Sequence, residues 1–432
     1  MTNGTAMNLD KSFPRYTEHD PLVPVWCVTP GKGACIHRFF DTSPISPSGK
    51  RLALSRFPFE DHEPEAGDFC EIVVIDLETG KENVVARTCG WEPQLGANIN
   101  WGGSDNELYF NDVDTSTWKP FAWKLDAKTG EKTRMEGTVY HASPDGRWLI
   151  SANMTTMCKT QPGYGVKIPR DNARMNIGPV ADDGFYLTDT KTGKSRLLLS
   201  LKDAFSKATP RIQVGEEIRK SEVYGFHSKF NPQGDRLMLS IRWFPAKDKP
   251  RWDMFREAAQ EVRYAWVTLK LDGSELHCAV GPEQWDKGGH HATWFPDGRR
   301  ISMNLTIDRD EVRFVQVNHD GSDLHKMLDT VIGSGHPTVH PDGKHLITDS
   351  YGYDWDKCGC EDGTIPLRWI DIATGAEERV VRFNTRHPYI PHAVLRIDPH
   401  PAWDRTWRYV TFNAFMGGTR RVYIADMKEM IG

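Results

Sequence analysis

The chain has 432 residues and a formal net charge of −5, with 26% charged and 38% hydrophobic residues. This composition is that of a globular protein with a sizeable core, and the weakly acidic balance without basic runs disfavours nucleic acid or a membrane surface as a partner. No stretch approaches the roughly 18 apolar residues of a membrane span. The start of the chain lacks the basic head and apolar run of a signal peptide, so the chain as written is expected to be cytoplasmic.

An internal repeat runs along the whole chain. Each unit has a turn, often Pro-Asp-Gly, followed by a β-rich run and then by a hairpin with an Asp-x-x-Thr-Gly or Asp-Gly-Ser turn. The units read, in chain order, SPSGKRLALSRF from Ser46, GGSDNELYFNDV from Gly102, SPDGRWLISANM from Ser143, NPQGDRLMLSIRW from Asn231, FPDGRRISMNL from Phe295, HPDGKHLITDSY from His340 and DRTWRYVTFNAF from Asp404. Such a repeat predicts a β-propeller rather than a solenoid, for which we find no capping repeats.

The seventh hairpin is one strand short. The run RRVYIADM from Arg420 supplies one strand, and we expect the run VPVWCV from Val23 to supply its partner. The sequence therefore predicts an all-β fold, a seven-bladed β-propeller closed by an N-terminal strand near Val23–Val28. Radial repetition also allows all of residues 1–432 to form a single domain.

Two insertions interrupt this framework, at about 154–184 and 244–262. Long polar loops on a rigid scaffold often carry function, although a solvated loop explains the first insertion equally well. Its candidate residues are Tyr164, Arg170 and Arg174. The second insertion is predicted to be part helical, with one apolar stripe formed by Trp252, Phe255 and Ala259. Arg263 follows it, near the next blade.

Four histidines stand at one phase of the repeat, each three residues before an apolar residue that opens a short β run. They are His227, His291, His336 and His400. The innermost strands of a propeller line its channel and start at one mouth, so these side chains are expected to meet there. A packed channel histidine explains any one of them, but four at one phase among 16 histidines favour a functional cluster. Neutral imidazole is the commonest metal ligand and a general base near pH 7.

Other polar groups are expected near this mouth. Asp398 precedes His400 by two residues and lies on the same side if the segment is extended. His290 precedes His291 and is predicted to point away from it, which makes it the weaker candidate. Two further candidates for binding a substrate are Asn98, at the same phase of the second unit, and Arg38, near the start of the first.

The segments IHRFFDTSPISPSG, YGFHSKFNPQG, GGHHATWFPDG, GSGHPTVHPDG and IDPHPAW resemble, in this order, the seven-bladed propeller polysaccharide lyases. The pattern is most similar to the oligogalacturonate lyases, and the ulvan lyases share the architecture. The resemblance implies β-elimination at a uronic-acid glycoside, commonly with a divalent metal. It implies that His291 is the base and that His336 and His400 bind the metal. One family ligand is replaced here by Asp398, and the family's glutamine falls on Leu395.

The expected chemistry has three requirements. The proton on C5 is only weakly acidic, so the uronate carboxylate must be neutralised by a metal or by an arginine. Arg174 is the candidate arginine. A base must remove that proton, here His291 or His227. An acid must protonate the leaving oxygen on C4, for which Tyr164, a histidine or water would serve. A metal on His336, His400 and Asp398 would have mixed nitrogen and oxygen ligands, which suit Mn²⁺ or Zn²⁺, with Ca²⁺ as a further choice.

Two other functions stay open at this point. A glycoside hydrolase would need paired carboxylates about 5–10 Å apart. Only Asp398 is clearly placed at the mouth, with Asp41 and Asp112 as remote partners. A propeller that binds a protein or peptide without catalysis is the second alternative, since fold alone does not determine function. The histidines favour the lyase, whose partner would be an acidic oligosaccharide or polysaccharide of unspecified uronate and linkage; the oligomeric state is unknown.

Overall fold

The fold prediction is confirmed: the strands form seven four-stranded antiparallel sheets, arranged as the blades of a propeller. The computed structural model describes residues 7–31, 33–245, 262–308, 311–351, 355–386 and 393–432. The strands are β1 (Val25–Cys27), β2 (Ala34–Ile36), β3 (Arg51–Phe57), β4 (Cys70–Asp76), β5 (Glu82–Thr88), β6 (Asn100–Trp101), β7 (Glu107–Asp114), β8 (Lys119–Asp126), β9 (Lys132–Arg134), β10 (His141–Ala142), β11 (Trp148–Ala152), β12 (Gly184–Asp189), β13 (Ser195–Ser200), β14 (Ser221–Phe230), β15 (Arg236–Pro245), β16 (Arg263–Lys270), β17 (His277–Val280), β18 (Gly289–Trp294), β19 (Arg300–Leu305), β20 (Arg313–Asn318), β21 (His325–Lys326), β22 (Thr338–Val339), β23 (His345–Thr348), β24 (Ile365–Asp371), β25 (Glu377–Phe383), β26 (Ala402–Trp403), β27 (Tyr409–Met416) and β28 (Thr419–Asp426).

The helices that the structure describes are short and lie outside the strands. The α-helices of the described residues are α1 (Leu201–Lys207), α2 (Pro282–Trp285), α3 (Trp355–Cys358) and α4 (Lys428–Ile431). Single 3₁₀ turns occur at Leu9–Lys11, Met157–Lys159, Arg170–Asn172, Glu216–Lys220 and Ala393–Leu395. Within the described part of the chain, no helix has the length and apolar character needed to cross a membrane.

Blades one to six each use four consecutive strands, from β2–β5 to β22–β25. The seventh blade is different, because β1 joins the outer edge of β28, in a sheet with the order β1-β28-β27-β26. Val25 pairs with Ala425 and Cys27 pairs with Tyr423 in antiparallel register. The predicted closure of the ring by the N-terminal strand is therefore confirmed.

The repeated Asp-x-x-Thr-Gly sequences form the outer hairpin turns. In the first blade, Asp76 Oδ1 accepts hydrogen bonds from the backbone N–H groups of Glu78 and Thr79, and Gly80 has a left-handed φ of 72°. Asp fixes the turn, and glycine adopts this φ without a steric penalty, which explains the sequence signature. The same pattern recurs at Asp126–Gly130, Asp189–Gly193 and Asp371–Gly375.

The core lies between neighbouring blades. In the largest apolar cluster, Phe185 of β12 packs with Phe226 of β14 and Ile241 of β15, so the third and fourth blades share it. Burying each such side chain contributes about 1.5–3 kcal/mol. The first insertion emerges between β11 and β12 of the third blade. Most of the second insertion, including the predicted helical stripe, lies outside the described residues and stays a prediction, as do the bounds of the single domain.

Candidate active site

Three of the in-phase histidines form a compact group at one end of the channel. The rings of His291 and His336 stack with centroids 3.8 Å apart, and His336 meets His400 edge-on at 4.5 Å. Phe39, from the segment between β2 and β3, lies beneath them, with ring centroids 4.6 to 6.0 Å away. We call His291, His336 and His400 the histidine trio, and we call their end of the channel the upper mouth.

His227 meets the trio only through Phe39. Its ring lies 5.2 Å from Phe39 and stacks against Phe226 at 4.1 Å. Burial, with help from the charges of Lys229 and Arg242, holds its pKa well below the usual histidine value. His227 is therefore a neutral, aromatic-packed side chain beside the trio, and its role as an alternative base stays a prediction.

The backbone is strained where these side chains enter the mouth. Asn98, His291 and His400, all at the phase picked out by the repeat, have left-handed φ angles of 52°, 54° and 50°. Such a conformation costs a non-glycine residue on the order of 1–3 kcal/mol and persists only where the surrounding structure enforces it. Strain of this kind clusters at functional sites, so the observation points to function at this mouth.

The same strain corrects one prediction. Strand alternation predicts that His290 points away from His291, but this is wrong, because their Nδ1 atoms lie 3.1 Å apart. The left-handed backbone of His291 and a register shift between His290 and Thr293 break the alternation. Asn304 Nδ2 lies 3.0 Å from His290 Nδ1 and can donate to it, and burial lowers the pKa of His290 to about 3. His290 thus belongs to the same group as the trio.

Two members of the trio are oriented by hydrogen bonds from their Nδ1 atoms. His336 Nδ1 lies 2.9 and 3.0 Å from the two carboxylate oxygens of Asp349, and His400 Nδ1 lies 3.1 Å from the carbonyl oxygen of Arg38. A carboxylate and a carbonyl only accept, so both Nδ1 atoms carry the proton. When each ring is neutral its Nε2 atom is a lone-pair donor, and both Nε2 atoms are buried without a hydrogen-bond partner.

These two nitrogens and Asp398 form a set that can hold a metal ion. Ligand atoms of His336, His400 and Asp398 all lie within 4.8 Å of one another, and the three residues are 0%, 0% and 5% exposed. Arg396 Nε donates to Asp398 Oδ2 at 3.0 Å and orients the carboxylate. Burial, together with the neighbouring His336 and His37, keeps the pKa of His400 well below its usual value. Two imidazole nitrogens beside a carboxylate are a ligand set that a divalent cation binds.

His291 has a different environment. Its Nδ1 atom lies 2.9 Å from the carbonyl oxygen of Gly335, and the hydroxyl of Tyr351 lies 2.9 Å from both ring nitrogens. Burial is the main cause that holds its pKa far below the usual value, and His336 adds to this. The ring is only half-buried. His291 is thus a neutral imidazole that can reach a substrate and accept a proton.

The three candidate residues of the first insertion lie in different environments. Tyr164 is only 2% exposed and packs against Phe226 and His227 at 5.2 and 5.6 Å, so it lies behind His227. Arg174 Nη2 binds Asp182 at 2.5 Å and its Nε donates to Asn176. Arg170 is an exposed residue of a 3₁₀ turn. Their predicted roles stay predictions.

Arg263, Asn98 and Arg38 are held by neighbouring side chains. Arg263 is exposed at the start of β16, 3.2 Å from Asp286. Asn98 is buried and donates to Glu92, whose pKa is raised to about 8, chiefly by burial. Arg38 is buried and its Nη1 donates to Asp41 Oδ1 at 2.8 Å. Their roles in binding substrate stay predictions.

Repeat phase did not reveal Asp349, Tyr351, Phe39 or Arg396. Asp349 and Tyr351 follow β23, the second strand of its blade, and only the starts of the first strands were in the pattern. Comparing the ends of the second strands would have shown a carboxylate and a phenol side by side in the sequence TDSY. Phe39 looks like an ordinary core residue, and no sequence signal separates it from one.

The lower mouth, at the other end of the channel, contains a buried charge cluster made of Arg38, Asp41 and Lys229. Asp41 lies 2.8 Å from each of the two cations, and Lys229 also donates to the carbonyl of Ala292 at 2.7 Å. Burial opposes ionisation of Asp41, but Lys229 and Arg38 outweigh it and hold its pKa well below the usual value. A cavity of about 300 Å³ adjoins the cluster and is lined by residues that include Phe40, Trp101, His141, Trp294, Trp403 and Arg405.

Comparison with known proteins identifies the architecture. No family model matches the chain, and no curated protein matches it in sequence. An oligogalacturonate lyase in complex with manganese matches with a TM-score of 0.61 and 14% identity over 97% of both chains. An oligogalacturonate lyase from Vibrio parahaemolyticus matches with a TM-score of 0.60 and 15% identity over 97% of this chain and 98% of the other. The chain shares the fold of these lyases. At this identity the likeness concerns the fold, as the sequence resemblance predicts.

Proposed function

We propose that the protein is a lyase that cleaves a uronic-acid-containing oligosaccharide by β-elimination. The observation that carries the proposal is the position of His291, a neutral and reachable imidazole that stacks directly on a metal-competent pair of histidines. Elimination next to a carboxylate requires a base beside a cation, and this juxtaposition would bring the two together when a cation is bound. The two oligogalacturonate lyases of the same fold support the reaction class.

The residues that would hold the cation are His336, His400 and Asp398. Their two imidazoles and one carboxylate suit Mn²⁺ or Zn²⁺, and one of the similar lyase structures is a complex with manganese. A bound divalent cation would supply the positive charge that neutralises the uronate carboxylate and so acidifies the C5 proton. Asp349 and the Arg38 carbonyl fix the tautomers of the two histidines, and Arg396 orients Asp398.

His291 acts as the base in this proposal. Gly335 fixes the proton on Nδ1, which leaves the Nε2 lone pair to accept the proton from C5. The half-buried position and the lowered pKa keep the ring neutral at ordinary pH, so no proton has to be lost before reaction. A correctly placed base contributes about 10²–10⁴-fold to the rate.

The carboxylates of the channel disfavour a glycoside hydrolase. Such an enzyme needs two carboxyl groups that flank a sugar. Asp349 is fully buried against His336, and Asp41 lies between two cations at the lower mouth. Asp398 belongs to the metal-competent set itself, and Arg396 already donates to it. The arrangement supports elimination rather than hydrolysis.

The test is a direct assay for the unsaturated product. The purified protein is incubated with oligosaccharides of galacturonate, glucuronate, mannuronate and guluronate, with Mn²⁺ added or with a chelator, and ultraviolet absorbance of the C4–C5 double bond is followed. We expect product from at least one oligosaccharide, and less product with chelator. New reducing ends without absorbance would indicate hydrolysis, and no cleavage of any uronate oligosaccharide in the panel would overturn the proposal.

A further inference from the structure

We infer that the cavity at the lower mouth is a second binding site, which takes a single sugar ring that carries a carboxylate. This site is separate from the histidine trio, and its existence does not depend on the reaction proposed there. The cavity measures about 300 Å³, at the lower limit of ligand pockets, whose volumes run from about 300 to 1,000 Å³. A space of this size suits one pyranose ring.

The innermost strands of the blades build the wall of the cavity. Five of these strands, β6, β10, β14, β18 and β26, end on it, so the fold converges at the lower mouth as it does at the upper one. Six aromatic side chains line the cavity: Trp101, Trp294, Trp403, Trp407, Phe40 and Phe230. An aromatic wall packs well against a sugar ring, because the C–H face of the sugar is apolar and its hydroxyl groups point outward at the ring edge.

His141 provides a hydrogen-bond donor on the same wall. The backbone N–H of Phe230 donates to its Nδ1 atom at 3.0 Å, so the lone pair of Nδ1 is in use. Burial lowers the pKa of His141 to about 3, which keeps the ring neutral, and its single N–H proton is then on Nε2. His141 can therefore donate to a hydroxyl or carboxylate oxygen of a ligand.

The charges of the wall leave one cation without an anion. Both carboxylates that line the cavity are already satisfied. Asp41 lies between Arg38 and Lys229. Asp404 accepts hydrogen bonds from backbone N–H groups of the turn that follows β26. Arg405 is the remaining cation, and among the described residues it forms no ion pair, only hydrogen bonds to two backbone carbonyls. An anionic ligand would balance this surplus of positive charge.

Arg405 lies where it can bind that anion. From the turn between β26 and β27, its guanidinium donates to the carbonyls of Gly102 at 2.7 Å and Pro144 at 3.4 Å. These carbonyls belong to the second and third blades, which are not neighbours of the seventh blade in the ring, so the side chain extends over the cavity. A guanidinium has more N–H donors than these two bonds use, and its planar fork matches a carboxylate. Arg405 is exposed, so a ligand can reach it.

The aromatic wall and the cation together define the class of ligand. A neutral sugar would leave Arg405 without an anion, and an inorganic anion would leave the aromatic wall without a partner. A uronic-acid monosaccharide, or its glycoside, satisfies both. Its carboxylate is attached at the edge of the ring, so the ring can pack on the aromatic side chains while the carboxylate meets the guanidinium.

The test is a binding titration with the methyl glycosides of glucuronate and galacturonate. These compounds have no glycosidic bond at C4, so β-elimination cannot cleave them. Tryptophan fluorescence and calorimetry follow binding in the presence of a chelator, with methyl glucoside, methyl galactoside, sulfate and benzoate as comparison ligands. We expect at least one uronoside to bind saturably, about tenfold or more tighter than its neutral counterpart, because a hydrogen bond to a charged group contributes a factor of that size.

Arg405→Leu should weaken uronoside binding about tenfold or more, to the affinity of the neutral glycoside. Arg405→Lys keeps the charge and should restore part of the affinity, which separates the loss of the cation from misfolding. Arg299→Leu is the matched control, because Arg299 is another exposed arginine of a blade turn but does not line the cavity. Arg299→Leu and His291→Ala, which changes only the upper mouth, should both bind the uronoside as the wild type does.

Absence of saturable binding of both uronosides would overturn the inference, as would wild-type affinity in Arg405→Leu. Equally tight binding of the neutral glycoside, of sulfate or of benzoate would also overturn it, because the site would then not select a sugar acid. If binding is lost in His291→Ala and kept in Arg405→Leu, the uronoside occupies the upper mouth and the lower site is rejected. No turnover is measured, so none of these outcomes decides the proposed lyase reaction.

Discussion

The two ends of the central channel both hold buried titratable groups, but these groups are paired differently. At the lower mouth, Asp41 lies between Arg38 and Lys229, so each buried charge has a partner. At the upper mouth, the Nε2 atoms of His336 and His400 are buried with no hydrogen-bond partner. Phe39 and Phe40 lie between the two groups. Partnered charges hold the blades together, whereas unpartnered lone pairs are available to a ligand.

The two mouths can be compared because burying a polar group away from water costs free energy at both. A buried polar group without a partner costs about 1–3 kcal/mol, so a fold keeps it only if something else stabilises it. The left-handed backbone at His291 and His400 adds to that cost. The upper mouth therefore carries a cost that a bound ligand would offset.

The largest expected effect is at the base. His291→Ala should lower kcat by about 10²–10⁴-fold, because a base acts in the transition state, while folding and substrate binding stay near the wild type. The half-buried side chain leaves no deep core cavity when it is removed. The assay is double-bond absorbance, with His325→Ala, exposed on the outer strand of the same blade, as the control. If more than about a tenth of the activity remains, His291 is not the base and His227 becomes the better candidate.

The next effect should fall on stability alone. Asp41→Asn leaves Arg38 and Lys229 buried without an anion, and removing one partner of such a group costs about 3–5 kcal/mol. Urea unfolding should show this loss, while the turnover of the folded variant stays unchanged. Adding Lys229→Met should recover part of the stability, because it removes one uncompensated cation. Reduced turnover with unchanged stability would mean that the lower mouth belongs to the active site.

The smallest effect should be on metal affinity. Asp349→Asn removes the charged acceptor that orients His336, and losing such a partner typically weakens metal binding by about 10–100-fold. Titration with Mn²⁺ measures the change. Asp342→Asn is the matched control, because it weakens another carboxylate–histidine pair of the same blade, 2.7 Å from His345, away from the trio. Equal affinities for the wild type and Asp349→Asn would show that the trio does not bind the ion through His336.

The sequence predicts the fold well because every blade repeats the same turn chemistry. Asp76 and Gly80 act locally, so their signature can be read without knowing the rest of the structure. The phase of the histidines was also readable, since strand starts in a propeller converge by symmetry. The left-handed φ of His291 was not readable, because the phase of a repeat carries no information on this backbone angle.

The details of the site depend on contacts between residues far apart in sequence. Tyr351 reaches His291 from the neighbouring blade, and the carbonyl of Arg38 orients His400 from the far end of the chain. Tyr164 was favoured because its insertion is long and polar, but that loop folds inward and buries the ring. Periodicity reports which positions are equivalent, and it does not report which side chains meet across a blade boundary.

The pairing of β1 with β28 has a consequence for how the molecule is made. Val25 and Ala425 pair directly, yet they lie at opposite ends of the chain. At about 5–20 residues per second, a ribosome needs on the order of half a minute between synthesising the two strands. During that time β1 has a bare edge, and the first six blades form an open arc. The ring can close only after β28 has left the ribosome, so the upper mouth acquires its final shape after that strand is made.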